Sequence, residues 1–117
     1  MNELNYASLS ASKKLVENGI VLETDAVWGK FDTGDYGLFY SWQYANDDFI
    51  PAPCFTDVWR ELPWVIDNYG LISMNKVDNI TCCGYRKGMA IREPKFESEN
   101  PTDALIDLLV WLKGAGK

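Results

Sequence analysis

Residues 100–113 read NPTDALIDLLVWLK, and this stretch carries the clearest secondary-structure signal of the chain. Asn100 is a good N-terminal cap, and Pro101 suits the first helical position because no amide is needed there. Asp103 places a carboxylate in the first turn, where the helix dipole favours a negative charge. The apolar residues recur at helical spacing: Leu105, Leu108, Leu109 and Leu112. The stretch therefore predicts a helix with one buried stripe.

Two shorter helices are predicted upstream of it. Residues 7–18 carry small and apolar residues at three-to-four spacing, and Gly19 stands at the expected stop. Residues 55–62 place Phe55, Val58, Trp59 and Leu62 on one face, and Pro63 ends that helix.

Strands are predicted between the helices. Residues 26–31 and 38–44 flank a Gly- and Asp-rich segment and predict a β-hairpin, with Leu38, Tyr40, Trp42 and Tyr44 on one face of its second strand. Residues 69–77 and 80–86 predict a second hairpin, and 89–93 a fifth strand. The order α-β-β-α-β-β-(β)-α predicts one α+β domain over residues 1–117. We expect one antiparallel sheet of four or five strands, with three helices covering one face.

The charge of the chain is unevenly distributed. The net charge is −6 over 117 residues, yet residues 1–70 hold eleven acidic and four basic side chains. An acidic first half repels a phosphate backbone, so we expect no direct nucleic-acid contact. It suits a basic protein partner, although a solvated acidic surface that maintains solubility explains the same charges.

The absence of histidine restricts the chemistry. The chain has no His and three cysteines, Cys54, Cys82 and Cys83. Ser-His and Cys-His nucleophiles are thereby excluded, and so is the commonest zinc ligand. There is also no phosphate-binding loop. We expect no catalytic residue, no metal and no cofactor, hence no enzyme.

The cysteines also bear on where the protein works. All three are interpreted as small apolar residues in a reducing compartment, with Cys82 and Cys83 on opposite faces of a strand; a redox-active pair is the alternative. The sequence has no membrane-length apolar run and no signal pattern at its start. We therefore expect a cytoplasmic protein that does not contact membranes.

The triplet Asp32-Thr33-Gly34 resembles the catalytic triplet of aspartic proteases, which in small one-motif forms work as homodimers. The mechanism needs two carboxylates sharing one proton. Lys30 and Asp35 depart from the family pattern around the triplet, and its partner motifs are not convincing. A turn explains the same residues more simply.

Four carboxylates are expected to gather at one end of the first hairpin: Asp32, Asp35, Asp47 and Asp48. Trp59 is interpreted either as a core residue, which is favoured, or as a half-exposed anchor. These five residues form the predicted binding surface.

Residues 50–63 read IPAPCFTDVWRELP. The stretch resembles a signature of small uncharacterised proteins encoded by bacterial phages, prophages and related mobile elements, and the resemblance extends over residues 8–113. It brings no catalytic residues. Cys54 stands where the group usually has a capping Thr or Ser, so a weaker helix cap is expected.

The resemblance implies an accessory protein in the cytoplasm of the host bacterium. With the acidic first half, it favours a non-enzymatic protein-binding module, for example an inhibitor of a host enzyme. Two alternatives stay open. One is a dimeric aspartic-protease-like hydrolase using Asp32, and the other is a structural module that forms a homodimer.

Overall fold

The computed structural model describes residues 3–43, 48–66, 69–88, 90–91 and 93–115. Its helices are α1 (Leu9–Glu17), α2 (Phe55–Glu61) and α3 (Pro101–Gly114). Its strands are β1 (Ala26–Lys30), β2 (Tyr36–Tyr40), β3 (Phe49–Pro51), β4 (Val65–Ile66), β5 (Gly70–Val77), β6 (Ile80–Lys87), β7 (Ala90–Ile91) and β8 (Phe96–Ser98). The predicted α+β class, three helices and two hairpins are confirmed. Within these ranges, no helix is long and apolar enough to cross a bilayer.

The strands form two antiparallel sheets rather than the single sheet that the sequence predicts. The small sheet has the order β2-β1-β3, and the large sheet pairs β4, β5 and β6 in succession. β7 and β8 both pair with β6 on its remaining edge. The prediction failed because β3 occupies the free edge of β1, and the 51–53 Pro-Ala-Pro segment then leads the chain into α2.

Helix α3 is the centre of the larger core. Its buried side chains are Ala104, Leu105, Ile106, Leu108, Leu109 and Leu112. One side of the helix meets Cys83 and Tyr85 of β6, and the others meet Leu15 of α1 and Val58 of α2. The predicted apolar stripe is therefore buried, and its neighbour Ile106 is buried with it.

The start of α3 is held by side-chain caps. The Asn100 side-chain oxygen accepts hydrogen bonds from the amides of Thr102 (2.9 Å) and Asp103 (3.3 Å), as its N-cap position predicts. The Asn100 side-chain amide donates to the carbonyl oxygen of Tyr6 at 2.9 Å. Asp103 in turn accepts from the amide of Ser8 at 2.8 Å. The first turn of α3 thus anchors residues 6–8, just before α1.

The same N-terminal segment holds the small sheet. The indole nitrogen of Trp28 donates to the carbonyl oxygen of Ala7 at 2.9 Å. The amide of Ala7 donates to the carbonyl oxygen of Pro53 at 2.8 Å. Trp28 and Ala26 form a second, smaller buried cluster with Ala52. Residues 6–7 therefore join the small sheet to the core around α3.

The cysteine environments partly match the expectation. All three thiols are free. Cys83 is buried and its thiol donates to the carbonyl oxygen of Ala104 at 3.2 Å, whereas Cys54 and Cys82 are half-buried. Met74 faces Cys83 across the β5–β6 ladder and Asn75 faces Cys82, so the neighbouring thiols lie on opposite faces, as predicted.

The second strand of the first hairpin is shorter than its alternation predicts. β2 ends at Tyr40, and the chain turns through residues 41–43. The ring of Trp42 stacks on Tyr40 with centroids 6.0 Å apart and is 79% exposed. Tyr44, which the alternation placed on the same face, lies outside the described residues.

Candidate functional site

The triplet Asp32-Thr33-Gly34 forms the turn between β1 and β2. The amide of Phe31 donates to the carbonyl oxygen of Asp35 at 2.7 Å, and the amide of Gly34 donates to that of Phe31 at 2.9 Å. Gly34 has a φ of +97°, which a residue with a side chain rarely adopts. The turn interpretation is confirmed, and both Asp32 and Asp35 are exposed at its surface.

Asp48 lies at the same end of the small sheet. The antiparallel register pairs Gly29 with Gly37 on one side and with Phe49 on the other. Asp48 therefore stands beside the end of β1 that leads into the turn. We call Asp32, Asp35 and Asp48 the acidic tip. Asp47, the fourth predicted carboxylate, lies outside the described residues.

Three aromatic rings occupy the outer face of the small sheet beside the acidic tip. Phe39 and Phe49 share this face because they pair with Val27 and Gly29, two residues apart on β1. The ring of Phe31 meets that of Phe39 edge-on, with centroids 5.5 Å apart. Phe31 is 49% exposed and Phe49 is 45% exposed. We call these three rings the phenylalanine face.

Gly37 makes room for the phenylalanine face. A Cβ atom at this position would lie 2.6 Å from Cζ of Phe31, so the ring would have to move away. The glycine in the DTGDYG segment therefore does more than form a turn, because it lets the Phe31 ring lie against the sheet.

Trp59 belongs to a different surface from the acidic tip. It lies on α2, which packs against α3, and its ring stacks on Phe55 with centroids 5.9 Å apart. It is 40% exposed, so it takes the half-exposed position rather than the favoured core position. The structure thus groups Asp32, Asp35 and Asp48 but separates Trp59 from them.

A second acidic surface, which the sequence interpretation missed, lies at the other end of β1. A cleft of 540 Å³ opens between residues 21–25 and α2. Four carboxylates line it, Glu23, Asp25, Asp57 and Glu61, and Arg60 is the basic residue among them. We call it the acidic cleft.

The charges in the acidic cleft are partly engaged with one another. One oxygen of Asp57 accepts from Nη2 of Arg60 at 2.9 Å, and the other accepts from the amide of Cys54 at 3.0 Å. Arg60 is thus paired with Asp57 and does not neutralise the negative charges of Glu23, Asp25 and Glu61. Burial first, and then the nearby charge of Asp25, raises the pKa of the Tyr6 hydroxyl. The excess of carboxylates over Arg60 in the lining of the cleft favours a cationic ligand.

Sequence reasoning found the tip but not the cleft for a physical reason. Asp32 and Asp35 lie in one hairpin turn, so their closeness can be predicted from the local sequence. The cleft joins residues 23–25 to 57–61, which only the packing of α2 brings together. Within the described ranges, no group of three or more acidic or thiol side chains has metal-binding geometry.

Comparison of the chain with protein-family models, with curated proteins and with solved structures finds no match in any of the three. The function of the chain is therefore inferred from its residues and their arrangement in the fold.

Proposed function

We propose that this chain is a protein-binding module of a phage or related mobile element, and that it engages a basic protein partner through the acidic tip and the phenylalanine face. The observation that carries this proposal is the exposure of Phe31 and Phe49 on one sheet face, with the carboxylates of Asp32, Asp35 and Asp48 beside them.

This combination of groups suits a protein interface. Aromatic side chains provide large contact area and are enriched in the centres of interfaces, where a few residues carry most of the affinity. Carboxylates at the rim attract lysine and arginine and accelerate encounter. Arginine also stacks favourably on aromatic faces. The partner we propose therefore presents arginine or lysine around an apolar depression.

The rigid scaffold supports the same conclusion. β1 is hydrogen-bonded on both edges, and Trp28 anchors it from the inner face. The phenylalanine face is thus presented on a sheet whose backbone needs no ordering on binding, which lowers the entropic cost of association. The resemblance of residues 50–63 supports the mobile-element origin, and a host nucleic-acid enzyme with a basic groove is the partner class that fits an acidic inhibitor.

Affinity capture from a host lysate tests the proposal. The variant carrying Asp32→Asn, Asp35→Asn and Asp48→Asn should lose its partner, and wild-type capture should weaken as salt rises because exposed charges are screened beyond about 10 Å at 0.1 M. Asp78→Asn is the matched control, since Asp78 lies exposed in the turn of the other hairpin. An unchanged partner list for the triple variant would refute the role of the acidic tip.

The aromatic contribution is tested separately. Phe49→Ala should weaken binding of the captured partner at least tenfold, because truncating a central aromatic residue typically costs about 2 kcal/mol or more. Val77→Ala is its control, since Val77 is 69% exposed on the large sheet. Sedimentation of the isolated chain distinguishes a dimerisation module. A monomer that still captures the partner supports the proposal, and a dimer disrupted by Phe49→Ala contradicts it.

A further inference from the structure

A small apolar pocket adjoins the acidic cleft. It has a volume of 100 Å³, and its lining includes Leu15, Ile20, Leu22, Pro51 and Pro53. Val21, Leu22 and Thr24 line both the pocket and the cleft, so residues 20–25, which we call the connector, form their shared wall. An apolar cavity of ~150 Å³ holds a benzene ring, so this pocket is large enough for one branched aliphatic side chain.

The wall of this pocket contains a buried hydroxyl, that of Ser12. Ser12 of α1 lines the pocket and is 0% exposed. Its Oγ atom forms no hydrogen bond within the described part of the chain. A serine inside a helix often bonds the carbonyl four residues earlier, and a buried hydroxyl without a hydrogen bond destabilises the folded state. The hydroxyl has almost no accessible surface, so a bound group that offers a donor or an acceptor reaches it only when the pocket wall moves aside.

The connector itself offers main-chain groups. The amides and carbonyls of Val21, Leu22 and Glu23 form no backbone hydrogen bond with any other residue that the structure describes. Val21 is 89% exposed, so a ligand can approach the connector from solvent. Peptides that bind along such unpaired segments gain affinity from main-chain bonds and selectivity from side-chain pockets.

The geometry points to a second docking site, a groove along the connector that binds a short basic peptide segment. We propose that an arginine or lysine of this segment enters the acidic cleft, where Glu23, Asp25 and Glu61 face it. A neighbouring threonine or valine enters the apolar pocket, where the Ser12 hydroxyl favours threonine. The groove lies at the opposite end of β1 from the acidic tip, and it does not depend on the function proposed above.

Charge and size both favour this occupant. The cleft holds four carboxylates and one arginine, which is already paired with Asp57, so a cation is attracted and an acidic peptide is repelled. The pocket is too small for an aromatic ring. It also has little polar surface to hold water, so an aliphatic side chain displaces water from it favourably.

Titration of ¹⁵N-labelled protein with a defined probe tests the groove. The probe is acetyl-Ala-Arg-Thr-Arg-Ala-amide, compared with the same peptide carrying Val or Trp in place of Thr, and with a Glu-Thr-Glu version. We expect the Thr probe to shift the amide resonances of residues 19–24, the Val probe to bind more weakly, and the Trp and Glu versions to leave these amides unshifted.

Two variants locate the contacts. Ser12→Ala should weaken the Thr probe about two- to tenfold and leave the Val probe unchanged, because only the hydroxyl contact is lost. The double variant Glu23→Gln and Glu61→Gln should weaken both probes about two- to tenfold, whereas the control Glu93→Gln should change neither. Asp32→Asn should also leave both affinities unchanged, which separates this groove from the acidic tip.

Three results would overturn the inference. Equal binding of the Trp and Thr probes would show that the pocket is not used. An affinity that survives both Ser12→Ala and the double glutamate variant would place the peptide elsewhere. Shifts at residues 19–24 on raising protein concentration without peptide would identify a second copy of the chain as the occupant.

Discussion

The hydroxyl of Tyr85 shows how one side chain can hold two elements together. It donates a 2.6 Å hydrogen bond to the carbonyl oxygen of Pro63, which lies just beyond the end of α2. Tyr85 is 2% exposed, so its side chain is held in place by the surrounding core. The bond therefore fixes the end of α2 against the centre of β6.

Tyr85→Phe should lower the free energy of unfolding by about 0.5–1.5 kcal/mol, because the hydrogen bond to the carbonyl of Pro63 is lost while the ring stays packed. Denaturant unfolding followed by fluorescence measures the change. Tyr36→Phe is the control, since Tyr36 is half-buried and its ring keeps Lys13 at 5.2 Å without the hydroxyl. A loss of equal size in both variants would show that the Pro63 bond is not the cause.

Alkaline pH should destabilise the fold through two buried groups. Burial raises the pKa of the Cys83 thiol from 9.0 to about 12 and that of the Tyr85 hydroxyl from 10.0 to about 12. Between these values the unfolded chain releases protons that the folded chain retains. Stability contributed by these groups is therefore complete below pH 9 and is lost as the pH rises towards 12.

Thermal unfolding measured from pH 8 to pH 11.5 tests this dependence. The unfolding temperature should fall steadily as the pH rises past 9.0, where half of the Cys83 thiols of the unfolded chain are ionised. Cys83→Ala should show a shallower fall, because the contribution of the Cys83 thiol is removed. The same slope in both proteins would refute the assignment to Cys83.

At the scale of elements, α2 begins with an unusual cap. Cys54 occupies the N-cap position, and its amide is bonded by Asp57 three residues later. This supplies the acid half of a capping box, but a thiol accepts hydrogen bonds weakly in the place where serine or threonine serves well. The start of α2 is therefore less stable than it would be with serine or threonine at the N-cap position.

Cys54→Ser should raise the free energy of unfolding by about 0.5–1 kcal/mol, because the serine hydroxyl accepts a bond from a first-turn amide. Urea unfolding of the reduced protein measures the gain. Cys82→Ser is the matched control, since this half-buried thiol lies on a strand and caps nothing. A loss of stability in Cys54→Ser would contradict the expected cap.

The helices and hairpins were predictable because their signals are local. Asn100, Pro101 and the leucine spacing define α3 without reference to the rest of the chain, and Asp78-Asn79 marks the second turn. β3, β4 and β8 have two or three residues each and no alternating pattern, so their pairing depends on strands that are distant in sequence. The separation into two sheets follows from β3 and was missed with it.

The candidate sites were predictable only where their residues are close together in the sequence. Asp32 and Asp35 were found because one turn holds both. The apolar pocket was not found, because it joins Ser12 of α1 to Pro51 and Pro53, some 40 residues apart along the chain. No local pattern distinguishes a serine with an unpartnered hydroxyl from one that bonds its own helix.

At the scale of the whole molecule, the fold consists of two buried clusters side by side. Its principal extents are 50 × 32 × 20 Å, and its radius of gyration of 15.0 Å exceeds the ~13 Å typical of a compact domain of this length. Two clusters joined by residues 6–7 and by the packing of α1 on β3 are expected to open separately.

Trp28→Phe should loosen the small sheet selectively, because it removes the indole bond to the carbonyl of Ala7 that joins the two clusters. Amide hydrogen exchange should quicken about tenfold in β1 to β3 as the bond's contribution of about 1–1.5 kcal/mol is lost. Amides of β5, β6 and α3 serve as the internal reference and should keep their protection. Uniform acceleration across both clusters would show that they open as one unit.

The contacts between residues 5–8 and the start of α3 have a consequence for synthesis. Asn100 reaches back 94 residues to Tyr6, Ser8 reaches forward 95 residues to Asp103, and Thr102 reaches back 97 residues to Asn5. A chain leaving the ribosome can form its hairpins early, since their partners are adjacent. The contacts of residues 5–8 with α3 must wait until α3 has emerged, so this link between the small sheet and the main core forms in the last stage of translation.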